Sequence, residues 1–106
     1  MAWVRFKYKI NNNNLMRKIT QQIASAFAVG KDCQLSKRDS VRNGSLCLWG
    51  HQIAKFEDGQ LMITNAGYFT NTTKDRLNGL NGVSISQKNF EWFLNGKPWN
   101  GDWITV

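Results

Sequence analysis

The sequence predicts an α+β fold. An antiparallel sheet of five to seven short strands packs against one main helix at residues 15–29, with a second short helix at residues 73–78. Three observations carry this expectation. Apolar residues recur at the helical period over residues 15–29. From residue 45 onward the apolar period drops to two, the period of a strand. Asn-Gly and Asp-Gly pairs, which favour two-residue hairpin turns, separate the alternating runs. Helical and extended segments are segregated along the chain, which favours an antiparallel sheet over a parallel one.

The elements follow in order. In residues 3–10, Val4, Phe6, Tyr8 and Ile10 alternate with Arg5, Lys7 and Lys9. A strand there would carry one apolar face and one cationic face. Asn11 to Asn14 follow, four asparagines that favour a turn or linker. In the main helix Leu15, Ile19, Ile23, Ala26 and Phe27 fall on one stripe. Asn14 is placed to cap its start, and Gly30 to supply the left-handed residue after its end. Arg17 and Lys18 sit in its first turn, where cations oppose the helix dipole.

Residues 31–44 read as a polar, basic loop with a short edge strand near residues 40–42. Asn43-Gly44 is a turn pair. Residues 45–49, 52–56 and 60–65 read as a three-stranded meander, with a turn at Gly50-His51 and a hairpin at Asp58-Gly59. Thr72 and Asp75 have the spacing of a capping box for the second helix, and Gly79 would end it. Residues 83–87, 90–94 and 98–105 read as the last strands, with Asn95-Gly96 as a turn. Phe90, Trp92 and Leu94 would line one face, opposite Trp99 and Trp103. The domain boundary falls between a basic N-terminal strand or extension at residues 1–14 and a single α+β domain at residues 15–106.

The charge is uneven. Fourteen Lys and Arg against seven Asp and Glu give +7 over 106 residues. Residues 1–42 hold nine of the cations and only two acids, Asp32 and Asp39; the rest of the chain nets zero. A chain of this size is usually one domain. No apolar run approaches the roughly 20 residues that span a bilayer, so no membrane partner is expected. Arg5, Lys7 and Lys9 interrupt the apolar stretch that a secretory signal would need.

The same residues argue against a catalyst. His51 is the sole histidine, Cys33 and Cys47 are the only cysteines, and no C-x-x-C or glycine-rich phosphate loop is present. We expect no enzyme, metal or cofactor, and two reduced thiols. Two groups of residues are candidates for binding. Arg5, Lys7, Lys9, Arg17, Lys18, Lys37, Arg38 and Arg42 form the cationic set. It suits phosphates or an acidic protein, since neutralising charge serves both. Thr72, Thr73, Lys74 and Arg76 lie at the start of the second helix, where free backbone N–H groups attract an anion. The structural alternative is that Thr72 caps this helix, Leu77 packs, and Arg76 and Asn78 hydrogen-bond neighbouring strands. Of the five tryptophans, most serve the core on grounds of size.

The stretch from Met16 to the C-terminus resembles a group of small, mostly uncharacterised proteins of tailed bacteriophages. The resemblance rests on Met16 to Thr20, on residues 46–54 and 63–68, and on the run at residues 70–80. It continues through Gln87-Lys88, residues 92–96, Trp99 and Trp103. Where this chain has Trp49-Gly50-His51, the usual pattern has His-Gly-Asn, so no fixed histidine role carries over. The resemblance implies no catalytic residue. It implies a small accessory protein of the host cell cytoplasm that binds and inhibits a host factor, an anti-defence or anti-CRISPR-like role included. Its partner would be a host protein or nucleoprotein complex; the alternative is a basic accessory protein binding DNA or RNA. Residues 1–15 lie outside the resemblance, as an extension or upstream of a second start at Met16.

Overall fold

The computed structural model describes residues 15–106, with side chains from Lys18 onward. The expected strand at residues 3–10, its cations Arg5, Lys7 and Lys9, and the Asn14 cap lie outside the described residues. Helix α1 (Leu15–Ala28) buries Thr20, Ile23, Ala24 and Phe27, the expected stripe turned slightly. Gly30 takes φ 71° as expected. Its N–H bonds the Phe27 carbonyl at 3.1 Å, and the Lys31 N–H bonds that of Ala26 at 2.9 Å. These two bonds satisfy carbonyls that the helix end leaves free.

Strands β1 (Cys33–Gln34), β2 (Asp39–Arg42), β3 (Ser45–Leu48), β4 (His51–Glu57) and β5 (Gln60–Ile63) follow as an antiparallel run. Helix α2 (Asn71–Asn78) intervenes. Strands β6 (Ile85–Lys88), β7 (Glu91–Leu94) and β8 (Lys97–Pro98) form a second, three-stranded sheet. Strand β9 (Ile104–Thr105) returns to the first sheet, whose order is β1-β2-β3-β4-β5-β9. The α+β class with antiparallel sheet and two helices stands. The strands divide between two sheets where one was expected.

The turn expected at Gly50-His51 falls at Trp49-Gly50, with both residues at positive φ and His51 the first residue of β4, and three further features differ from the sequence reading for physical reasons. Residues 98–105 are not one strand. Gly101 takes φ 94°, and the Asp102 N–H bonds the Asn100 side chain at 3.0 Å. The chain turns there and delivers Ile104 to β5. Phe90 is not a strand residue, because Asn89 and Phe90 form the two-residue turn between β6 and β7. Trp103 does not face Trp92. It lies under Lys55, whose Nζ stands 4.6 Å from its ring centre.

Helix α1, α2 and both sheets meet on one core. Ile23, Leu46, Ile53, Ile63 and Leu77 are fully buried within it, each stabilising the fold by about 1.5–3 kcal/mol. Phe27 stacks on Phe56 with ring centres 4.9 Å apart. An amide of α2 binds the second sheet at two points. Asn78 accepts from the Ile85 N–H at 2.6 Å and donates to the Ile85 carbonyl at 3.1 Å. Cys33 and Cys47 are free thiols. Cys33 lies opposite Val41 while Cys47 lies opposite Ser40, so they project from opposite faces of the sheet.

Candidate functional site

The second helix starts two residues earlier than the capping-box spacing implied. Thr70, not Thr72, is its cap, accepting from the Thr73 N–H at 3.2 Å. Asp75 does not complete a box because its carboxylate is engaged elsewhere, accepting from Thr20 on α1 and from Arg76. Arg76 is fully buried. Its Nε donates to Asp39 Oδ1 at 2.7 Å and its Nη1 to Thr20 at 2.8 Å. Asp39 also accepts from Ser36 at 2.9 Å. Burial pushes the Asp39 carboxyl up, but the bonds from Arg76 and Ser36 and the charges of Arg76 and Arg38 more than reverse this. The carboxyl sits below the usual carboxylate range. This network joins α1, α2 and β2.

The four residues expected to hold an anion are therefore spent largely within the fold. Thr73 and Arg76 are buried and Thr72 is half-buried. Lys74 donates to Gln87 at 2.6 Å and stands 5.8 Å from the Trp92 ring centre. The cationic set is dispersed. The Arg17 side chain lies outside the described residues. Lys18 is exposed on α1. Lys37 and Arg38 precede β2, whereas Arg42 ends it and donates to Gln34 at 2.9 Å.

What the structure does expose is a large aromatic at each of two separate hairpin tips. Among the described residues, five two-residue hairpin turns have both central residues at positive φ, a conformation that favours Asn-Gly and Asp-Gly. Asn43-Gly44, Asp58-Gly59 and Asn95-Gly96 obey that preference. The other two place a large aromatic there: Trp49-Gly50, with Trp49 at φ 52°, and Asn89-Phe90, with Phe90 at φ 67°. A bulky residue in this region costs about 1–2 kcal/mol. Phe90 is 95% exposed and Trp49 59% exposed. Residues held in such sparsely populated conformations cluster at functional sites.

Trp49 lies at a sheet end beside the backbone of Arg38, whose side chain pairs with Asp39 at 3.3 Å. The Trp49 N–H bonds the Arg38 carbonyl at 2.8 Å, which seats the Lys37-Arg38 loop beside it. His51 meets Tyr68 edge-on at 5.6 Å. Around Phe90 lies an open cleft of about 630 Å³ lined by Phe69, Glu91, Trp92, Trp99 and Ile104. Phe69 packs edge-on against Trp92 at 5.2 Å.

The sequence profile described as Kyanoviridae Gp96 protein matches residues 16–105. The chain belongs to this family of phage proteins. No curated protein and no solved structure matched it. The Kyanoviridae Gp96 match begins at Met16, where the resemblance began, and both aromatic tips fall inside it. Arg5, Lys7 and Lys9 fall outside. In this family member, Trp49 and Phe90 were the residues that sequence reading missed as surface features. The available signal was an aromatic between two alternating runs at hairpin spacing. Among the described residues no helix is long and apolar enough to cross a membrane, and no group of three His, Cys, Asp or Glu is placed to hold a metal.

Proposed function

We propose that the chain is a non-catalytic phage protein that docks on an acidic face of a host protein and thereby blocks it, a host defence component being the favoured class. The observation that carries this is the exposed Trp49, held at positive φ beside Lys37 and Arg38. Trp, Tyr and Arg are the residues that dominate protein interface energies. Cations around them steer an acidic partner. Arg76 of the second helix is fully buried and spent on Asp39 and Thr20 within the fold.

The same tip also suits stacking on an unpaired base, so the experiment separates the two. Full-length protein is incubated with nuclease-treated host lysate, in parallel with Trp49→Asn and Lys37→Glu variants. One stoichiometric protein retained by the wild type, insensitive to nuclease and lost in both variants, is the expected result. Retention that vanishes with nuclease, or that survives both substitutions, would overturn the reading.

A further inference from the structure

We propose that the Phe90 face is a contact between two copies of this chain. Phe90 stands almost wholly in water at the tip of the β6–β7 hairpin, on the rim of an open cleft that it lines together with Phe69, Trp92, Trp99 and Ile104. A projecting ring and a receiving cleft therefore adjoin on one surface. A two-fold axis between two such surfaces sends each ring into the other's cleft, and one contact is made twice.

The charges at the hairpin fit the same symmetry. Lys88 and Glu91 are register partners at the base of the turn. Among the described residues neither is in an ion pair. The two-fold that seats the rings sets Lys88 of one copy against Glu91 of the other, in both directions at once. A patch with one cation and one anion flanking its apolar centre is complementary to itself.

The size of the patch sets the strength. Phe90 at 95% exposure and Phe69 at 57% present roughly 300 Å² of ring surface between them. That is the apolar centre of an interface of about 800 Å² per partner, well short of an obligate dimer. A patch of this size suits a reversible dimer rather than an obligate one. The contact uses a different tip from the host-protein reading and does not rest on it.

Sedimentation velocity on the full chain tests this at about 100 μM. The wild type is expected to sediment as a dimer. Phe90→Gly is expected to be monomeric with an unchanged or higher melting temperature, because Asn-Gly is the preferred pair for this turn. Lys88→Glu and Glu91→Lys are each expected to weaken the dimer about tenfold or more, and the double reversal to restore it. A wild type that is monomeric at that concentration overturns the proposal. So does a Phe90→Gly dimer, or a double reversal no tighter than either single variant.

Discussion

Replacing Asp39 with Asn tests the network that joins α1, α2 and β2. The substitution keeps the shape and removes the charge. It leaves the Arg76 guanidinium, which is fully buried, without the carboxylate that receives its Nε at 2.7 Å. Arg38, 3.3 Å from the same carboxylate, adds a second cation nearby. Breaking one side of a buried pair costs about 3–5 kcal/mol, and Asp75, which accepts from Arg76 at 3.1 Å, keeps part of the compensation, so the loss falls toward the lower end of that range, still a large part of the roughly 5–15 kcal/mol that holds a domain together. Asp39→Leu combined with Arg76→Met removes both charges and should cost much less than the sum of the single changes. Urea unfolding followed by tryptophan fluorescence reads both. The pH dependence has a defined sign. The folded Asp39 carboxyl lies below its usual value, so its contribution is complete above about pH 4 and is lost as the pH falls through the folded value. Asp39→Asn should lack that part of the acid limb. A single variant losing less than about 1 kcal/mol, or a double variant costing the full sum, would refute this reasoning.

Other outcomes follow from the same geometry. Thr70→Ala should lose about 1 kcal/mol while Thr72→Ala loses less than half of that, since Thr70 makes the cap bond; urea midpoints decide. Gly101→Ala should cost about 3 kcal/mol or more, because Gly101 sits at φ 94° and an added Cβ would come 2.3 Å from Asn65 Nδ2; thermal unfolding reads it. Cys33, half-buried, should react with a thiol reagent in the native state well before Cys47. Burial pushes the Cys47 thiol up against the smaller opposing effects of Arg42 and Ser40, and mass spectrometry at timed intervals orders the two.

The fold was legible wherever local chemistry decides the backbone. The stripe of Ile23 and Phe27 and the left-handed Gly30 placed α1. Asn43-Gly44, Asp58-Gly59 and Asn95-Gly96 placed three hairpins, and Asn78 was readable as a residue that bonds a neighbouring strand. What long-range packing decides was not legible. Asp39 and Arg76 are 37 positions apart, and nothing local pairs them. The split between β8 and β9 depends on β5 having a free edge for Ile104 to join. Phe90 read as a strand residue because aromatics favour strands, and only the tertiary register made it a turn. Exposure separates the four described tryptophans, with Trp92 and Trp99 buried and Trp49 and Trp103 exposed. Size alone assigns most of them to the core without saying which is exposed.

The Trp49 tip is tested most directly by a photo-crosslinking residue at position 49 of the full chain, produced in the host. A second chain carries the residue at position 58, a hairpin tip at the opposite end of β4. We expect one discrete host-protein adduct from position 49, unchanged by nuclease, and none from position 58. No adduct at position 49, an adduct to nucleic acid there, or equal labelling at both tips would contradict the account.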